Sequence, residues 1–364
     1  MSRDSGFGIR DSRLGIRDSR LGIRDSKRPS PARTLWFGGL LLVTAVTVCA
    51  CSGNQAGLNP HGPIARSIVV HAWSLLAVCI AVYVVVMIAF FIAIGRRRRD
   101  SDDSPETTAR LTRNVVVAVA LTVVILVAMA TSSVIAGRGT YSPSGAGAIT
   151  VDVVGHQWWW DFEYHDVTPS DVFTSPNELH IPVGVPVVLK VMSTDVIHSF
   201  WVPNLMAKRD LIPGIVTNTW IQADDPGVYR GQCAEFCGHQ HAHMAFNVVA
   251  EPMEKFQAWV RQQRQPALEP TTDDQRRGRD VFMQSPCVTC HSIRGTEAGS
   301  HVGPELTHVA SRLTLAAGTL PNARGHLAGW IANSQSIKPG NRMPPNALAP
   351  GDLQAVLAYV RSLR

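Results

Sequence analysis

The chain has 364 residues, 45% of them hydrophobic and 17% charged, with a formal net charge of +6. This length allows two or three domains, and the positive mean hydropathy of +0.06 argues against a chain that is water-soluble throughout. Residues 1–33 carry nine basic and four acidic side chains, so most of the excess charge lies in the leader and does not indicate a nucleic-acid partner.

Residues 1–51 are interpreted as a leader with a signal peptide. The segment Gly-Ile-Arg-Asp-Ser-Arg-Leu occurs at Gly8 and again at Gly15, in a stretch too polar to bury a core, which predicts disorder or a start codon placed too far upstream. An apolar run at 35–48, followed by Ala50 and Cys51, is typical of a secretory signal peptide. The same residues resemble a lipoprotein processing site, so lipidation of Cys51 and ordinary cleavage both stay open.

Two transmembrane helices are predicted within residues 61–136. Residues 67–94 and 114–136 contain no Asp, Glu, Lys or Arg, and about 20 apolar residues are enough to cross a bilayer. The short loop between them carries four consecutive arginines at 96–99, which predicts a cytoplasmic loop and places everything after residue 136 outside.

Residues 148–254 are predicted to form a small cupredoxin-like Greek-key β-barrel or sandwich. After a Gly- and Ser-rich linker at 137–144, β-branched and aromatic residues recur in short runs separated by Pro, Gly and Asp. The predicted strands cover 148–164, 178–181, 185–191, 217–222, 227–232 and 246–249. A short helix at 253–263 and a spacer follow, with 255–272 taken as the linker to the next domain.

Residues 273–364 are predicted to form a small all-α domain, with helices at 273–284 and 353–363.

The densest set of candidate metal ligands is Cys233-Ala-Glu-Phe-Cys237-Gly-His-Gln-His241-Ala-His-Met244, with His198 35 residues upstream of the first cysteine. Thiolates, imidazoles and a thioether suit copper. Two sulfurs four residues apart on a loop can bridge two copper ions, while His198, His241, Met244 and a main-chain carbonyl complete the ligation. By spacing alone, His239 or His243 could be the copper ligand in place of His241. A structural disulfide between the two cysteines is the alternative to a metal site.

A second redox motif is Cys287-Val-Thr-Cys290-His291. Its thiols can attach covalently to haem vinyl groups, and the adjacent imidazole can ligate the iron. Met343, about 50 residues later, is the candidate sixth ligand. Copper and haem in one chain indicate an electron carrier.

These motifs resemble those of cytochrome c oxidase subunit II over residues 61–254, including Gly155-His-Gln-Trp158 and His198-Ser-Phe-Trp-Val-Pro. The resemblance implies a binuclear CuA centre: one copper held by His198 and Met244, the other by His241 and the Glu235 carbonyl, and both bridged by the cysteines. It further implies that the Glu235 side chain reaches a Mg ion at the subunit I interface and that Trp158 is the electron entry point. Ile215 departs from the family, which usually has Arg there.

Residues 273–364 resemble a class I cytochrome c, in which the carbonyl of the residue corresponding to Pro304 steadies the proximal histidine, here His291. The fusion therefore resembles subunit II of a caa3-type oxidase. This implies electron flow from cytochrome c or another respiratory donor through haem c and CuA to haem a of subunit I, where oxygen is reduced and protons are pumped. The implied partners are subunits I and III, and the implied location is the bacterial inner membrane, multi-pass, with both redox domains on the periplasmic side.

Two other classes share parts of the copper motif. Exported copper-delivery proteins of the thioredoxin fold also use Cys-x-x-x-Cys with a distant His, but they have Pro after the second Cys, where this chain has Gly238, and their His lies downstream. Nitrous oxide reductases need a large propeller domain that 364 residues cannot hold alongside the other segments.

Overall fold

The computed structural model of the protein describes residues 55–95, 104–138, 149–165 and 171–364. The leader and signal peptide expected at 1–51, the arginines at 96–99 and most of the linker expected at 137–144 lie outside the described residues.

Two long apolar helices open the described part of the chain, α1 (Pro63–Gly95) and α2 (Pro105–Arg138). Each is long and apolar enough to cross a membrane, and the apolar span of neither is buried in the protein. The helices contact each other, and His71 Nε2 lies 2.9 Å from Ser133 Oγ.

The start of α1 is joined to the β-rich domain that follows. Ile64 and Ala65 are buried against that domain, and the Ala65 backbone N–H donates to the carbonyl of Leu205 at 3.3 Å. The Arg66 guanidinium pairs with Asp224 at 2.7 Å. The first turn of the membrane helix is therefore packed on the domain that carries the copper motif.

The β-rich domain consists of two five-stranded sheets that pack face to face. The strands are β1 (Ile149–His156), β2 (Trp159–Tyr164), β3 (Phe173–Thr174), β4 (Glu178–Pro182), β5 (Val187–Ser193), β6 (His198–Trp201), β7 (Arg209–Leu211), β8 (Thr217–Ile221), β9 (Gly227–Cys233) and β10 (Ala245–Glu251). The strand orders of the two sheets are β3-β2-β1-β5-β8 and β4-β10-β9-β6-β7. The pairs β1/β5 and β4/β10 are parallel, and the other neighbouring strands are antiparallel.

Alternating burial along the strands builds the core between the sheets. Trp160 and Phe162 of β2 are fully buried, while the residues that alternate with them along the strand are less buried. The Trp160 ring packs at 5.8 Å from Phe200 of β6 and 5.2 Å from Phe246 of β10, measured between ring centroids. These edge-on aromatic contacts hold the two sheets together directly beneath the copper motif.

The C-terminal domain is mainly helical and has its own hydrophobic core, separate from that of the β-rich domain. Its elements are α4 (Asp273–Gln284), a two-residue hairpin of β11 (Thr314–Leu315) and β12 (Leu320–Pro321), α5 (Arg324–Ala332), α6 (Ser334–Ile337) and α7 (Pro350–Val360). The hairpin is an addition to the all-α expectation. Helix α4 begins at a capping box formed by Thr272 and Gln275, and α7 begins at Pro350, three residues before the predicted start.

The segment between the domains differs from a free spacer. Residues 253–263 form α3 (Met253–Gln263), which overlaps the linker expected at 255–272. This helix buries Phe256 in the core of the β-rich domain, which is called the copper domain below. Beyond it, the Ala267 N–H donates to the Arg294 carbonyl at 2.9 Å, so the connection is hydrogen-bonded to the C-terminal domain.

Candidate copper centre and haem pocket

The structure gathers the predicted copper ligands at one end of the second sheet. His198 begins β6, Cys233 ends β9, and Cys237, His241 and Met244 lie on the loop that leads into β10. Strand pairing sets the first two side by side, because Phe200 of β6 is the register partner of Cys233. Gly155 of β1 makes room for the imidazole, since a Cβ at that position would lie 2.8 Å from His198 Cδ2.

The donor atoms form a compact cluster. Cys233 Sγ lies 3.8 Å from Cys237 Sγ and 3.8 Å from His198 Nδ1, and both thiols are free. Cys237 Sγ lies 3.6 Å from His241 Nδ1 and 3.8 Å from Met244 Sδ. The separation of the sulfurs is too long for a disulfide and leaves room between them for metal ions.

The Glu235 carbonyl joins the same cluster, because its oxygen lies 3.2 Å from Cys233 Sγ. The Glu235 side chain is exposed and lines a polar pocket with Lys208, Arg209 and Asp210. Mg binding by this carboxylate stays a prediction. His239 and His243 are exposed, and His243 Nδ1 lies 2.8 Å from Gln240 Oε1, so of the three histidines it is the His241 ring that is directed at the sulfurs.

The protonation states of the cluster suit metal binding. The hydrogen bond from Cys237 lowers the pKa of the Cys233 thiol, and the same bond together with burial raises the pKa of Cys237. One thiolate is thus present before any metal arrives, and metal binding would displace the remaining proton. Burial opposes protonation of His198, but its hydrogen bonds to Cys233 and Asp195 outweigh burial and raise the pKa of the imidazole.

Asp195 is a functional residue that the sequence did not single out. Its carboxylate lies 2.9 Å from His198 Nε2 and accepts a hydrogen bond from the Gln157 backbone N–H at 2.7 Å. Carboxylates that hold the second nitrogen of a ligand histidine fix the ring and its tautomer. The spacing of Asp195 and His198 at i and i+3 is the only signal in the sequence.

Trp158 connects the loop of residues 234–244, here called the copper loop, to the pocket of the C-terminal domain. Its indole N–H donates to the Cys237 carbonyl at 2.9 Å, and the side chain is only 8% exposed. The Gln157 side-chain amide donates to the same carbonyl at 2.8 Å. One face of Trp158 therefore meets the copper loop while the residue also lines the neighbouring cavity.

That cavity holds every predicted haem residue. Cys287, Cys290, His291 and Met343 line it together, with Trp158 contributed by the copper domain. Other lining side chains include Trp330, Phe282, Leu327, Ile331, Val356 and Arg312. The apolar wall fits a haem macrocycle, and the two thiols lie where the Cys-x-x-Cys-His pattern requires them.

His291 is oriented for iron ligation. Its Nδ1 lies 2.7 Å from the Pro304 carbonyl, which fixes Nδ1 as the protonated nitrogen and leaves Nε2 as the acceptor. Burial lowers the pKa of this imidazole, so it is neutral at physiological pH. Gly303 permits the contact, because a Cβ there would lie 3.0 Å from His291 Cε1.

Three other histidines of this domain do not line the cavity. His301 and His326 are exposed, and His308 is buried with Nε2 3.2 Å from the Gln265 carbonyl. His308 therefore packs against the segment that connects the two domains.

The fold and the two sites define a membrane-anchored redox protein with a cupredoxin-like domain followed by a small helical cytochrome domain. A family model described as cytochrome C oxidase subunit II, periplasmic domain, matches residues 169–251, and a cytochrome c model matches residues 275–364.

The relatives agree with this assignment. Cytochrome c oxidase subunit 2 of Alkalihalophilus pseudofirmus is 34% identical over 331 residues, covering 89% of this chain and 95% of that protein. Cytochrome c oxidase subunit 2 of Bacillus sp. (strain PS3) is 32% identical over 59% of this chain and 62% of its own length. A crystal structure of the periplasmic domain of subunit II of cytochrome oxidase (CoxB) of Bradyrhizobium japonicum is 30% identical, covers 33% of this chain and 95% of that chain, and has a TM-score of 0.31. The chain belongs to the cytochrome c oxidase subunit 2 family, with a cytochrome c domain at its C-terminus.

Proposed function

We propose that this chain is the electron-entry subunit of a caa3-type cytochrome c oxidase. In this proposal it passes electrons from cytochrome c or another respiratory donor, through haem c and a binuclear CuA centre, to haem a of subunit I. Oxygen reduction and proton pumping then take place in the partner subunits. The observation that carries the proposal is that Trp158 both lines the haem cavity and donates to the carbonyl of the copper-loop residue Cys237.

The copper ligation proposed is that of the family. His198 and Met244 bind one copper, His241 and the Glu235 carbonyl bind the other, and both thiolates bridge them; Trp158 serves as the electron entry point. Two coppers sharing soft thiolates would supply a one-electron change spread over both metals, which keeps reorganisation small. The short donor distances around Cys237 and the buried His198 support this assignment.

The haem is proposed to be covalently attached to Cys287 and Cys290, with His291 and Met343 as axial ligands. A thioether opposite an imidazole raises the reduction potential of haem iron. The Met343 N–H donates to Asn341 Oδ1 at 2.8 Å, and Ser334 Oγ donates to the Met343 carbonyl at 2.6 Å. These bonds hold the Met343 backbone at the cavity wall.

The proposed setting is the bacterial inner membrane, spanned by α1 and α2, with both redox domains on the periplasmic side and subunits I and III as partners. The apolar helices and the periplasmic-domain match support it. Mg binding by Glu235 at the subunit I interface is part of the same proposal.

The test uses the full chain, expressed in a host that attaches haem c, purified in detergent and loaded with copper. We expect a low-temperature EPR signal of one electron shared equally by two coppers and a c-type haem band in the reduced optical spectrum. A single-copper signal, together with a disulfide between Cys233 and Cys237, would contradict the proposal and favour a copper-delivery role.

A further inference from the structure

Lys338 is an unusual residue of the C-terminal domain, residues 273–364, which is called the haem domain below. Residues 273–364 contain nine arginines but only this one lysine, and its side chain is almost completely buried, at 2% exposed. Lysine is almost never buried to this degree unless its ammonium is fully hydrogen-bonded.

The partners of the Lys338 ammonium are three backbone carbonyls. Nζ donates to the Trp158 carbonyl at 2.7 Å, to the His243 carbonyl at 2.7 Å and to the Ala316 carbonyl at 3.1 Å. Three acceptors match the three N–H donors of an ammonium group. Among the described residues no carboxylate pairs with it, so its hydrogen-bond partners are these backbone carbonyls.

Two of these three carbonyls belong to the copper domain and lie beside its functional parts. Trp158 touches both the copper loop and the haem cavity, and His243 immediately precedes the predicted copper ligand Met244. Lys338 thus crosses from the haem domain into the copper domain at the point where the two sites approach each other.

Lys338 also begins the loop that carries the candidate haem ligand. The Asn341 side-chain amide donates to the Lys338 carbonyl at 2.7 Å, and Asn341 Oδ1 accepts from the Met343 N–H. Pro339 adds a third cross-domain bond, since Gln240 Nε2 donates to its carbonyl at 2.7 Å. The Met343 backbone is therefore connected to the copper domain through a short series of hydrogen bonds.

We propose that Lys338 is a positioning residue for electron transfer within this chain: it fixes the Met343 loop of the haem domain against Trp158 and the copper loop. This inference rests on the proposed function. The step it serves is a one-electron transfer in which haem iron goes from Fe(II) to Fe(III) and the copper pair accepts that electron. Lys338 sets the distance for this step and takes no electron itself.

Other cross-domain contacts lie away from the Met343 loop and serve as a comparison. Asn247 Nδ2 of β10 donates to Thr314 Oγ1 of the haem-domain hairpin at 3.3 Å, and the Leu313 N–H donates to Glu178 Oε2 at 2.9 Å. If Lys338 served only to hold the domains together, loss of the Asn247 bond would have a similar consequence for electron transfer.

A first experiment needs no variant. The copper- and haem-loaded full chain in detergent is treated briefly with an amine-acylating reagent, and each lysine is quantified by peptide mass spectrometry. Lys190 and Lys255 are exposed, so we expect them to react, whereas Lys338 stays unmodified until the protein is unfolded. Acylation of Lys338 at the rate of Lys255 overturns the proposal.

A second experiment compares K338M with N247A and with the exposed-lysine control K255M. The haem is photoreduced and the rate of its reoxidation by the copper centre is measured. In K338M we expect both centres to keep their spectra while the rate falls by about tenfold or more, because small displacements have large effects on rate. N247A and K255M should stay within about twofold of the parent chain. A K338M chain with native spectra and an unchanged rate overturns the proposal.

Different outcomes would contradict the proposed function and the role of Lys338. Absence of the two-copper EPR signal or of haem c in the parent chain would contradict the proposed function itself. Intact spectra in the parent chain with a reactive Lys338, or with an unaffected K338M rate, would contradict only the role of Lys338. If K338M does not fold, the acylation measurement on the parent chain still decides.

Discussion

At the scale of single residues, Cys237 links the copper cluster to Trp158. Its sulfur lies within 3.8 Å of Cys233 Sγ and Met244 Sδ, and its carbonyl accepts from Trp158. It therefore belongs both to the metal site and to the proposed electron route.

Replacing this sulfur tests the bridging role. C237S removes one of two shared thiolates, so we expect copper content to fall from about two ions to one or fewer per chain, with loss of the two-copper EPR signal. The haem spectrum should be unchanged, because the candidate haem-binding residues Cys287, Cys290, His291 and Met343 all lie in the other domain. C79S, in the exposed apolar stretch of α1, is the matched control and should retain the signal. Unchanged EPR in C237S would exclude the bridging role.

The Asp161 carboxyl of β2 makes the stability of the fold depend on pH. Burial raises the pKa of its carboxyl to about 7, against the opposing charge of Arg312, and its Oδ1 has no hydrogen-bond partner among the residues that the structure describes. The folded chain thus holds a proton that the unfolded chain releases near pH 4, so this residue makes the fold less stable as pH rises from about 4 to 7.

We therefore expect D161N to stabilise the protein more at pH 8 than at pH 5, by a difference on the order of 1–3 kcal/mol. Thermal unfolding midpoints of both chains at the two pH values measure it. Equal changes in the midpoint at pH 5 and pH 8 would show that Asp161 titrates normally.

At the scale of elements, the closest helix pair of the haem domain depends on a glycine. A Cβ at Gly278 of α4 would lie only 1.9 Å from the Ala355 carbonyl oxygen and 2.8 Å from Tyr359 Cβ, both in α7. Backbone atoms cannot move aside as a flexible side chain does, so α4 and α7 would have to separate.

G278A should destabilise the haem domain by about 2 kcal/mol or more. Chemical denaturation followed by the haem absorption band gives the free energy of unfolding. The matched control is G325A in α5, where nothing lies within 4 Å of the added methyl group; it should be neutral or stabilise by about 0.5–1 kcal/mol. Similar values for both variants would contradict the packing argument.

Secondary structure was predictable where the pattern is long. Helices α3 (Met253–Gln263) and α4 (Asp273–Gln284) have the bounds expected from the sequence, and the bounds of five strands lie within two residues of the predicted runs. The strands that the sequence did not indicate are β3, β6 and β7. They have two to four residues, too few for alternation to be visible, and they are defined by their partners in the sheet.

At the scale of the whole molecule, several of the polar contacts between the two domains are buried. Lys338, Glu178 and Asn247 are each less than 9% exposed. Salt screens exposed charges far more than buried ones. We expect the haem-to-copper rate to change by less than about twofold between low salt and 0.5 M salt. A steep decrease with salt would instead indicate a haem domain that docks transiently through surface charge.

Some residues near the two sites could not be predicted from the amino-acid sequence. The candidate ligands Cys233, Cys237, Cys287 and Cys290 stand in local motifs, so the sequence alone is enough to predict them. Lys338 is hydrogen-bonded to the carbonyl of Trp158, 180 residues away. A backbone carbonyl leaves no trace in the amino-acid pattern, so a partner of this kind becomes visible only when the domains are seen together.

The junction at Ile64 and Ala65 has a mechanical consequence. Helix α1 has 33 residues and is therefore about 50 Å long, whereas the hydrocarbon core of a bilayer is about 30 Å thick. The first turn of this helix is packed on the copper domain. A tilt of the helix that matches it to the bilayer thickness would therefore tilt the domain as well. Lipid composition would thereby adjust the height of the copper loop above the membrane surface.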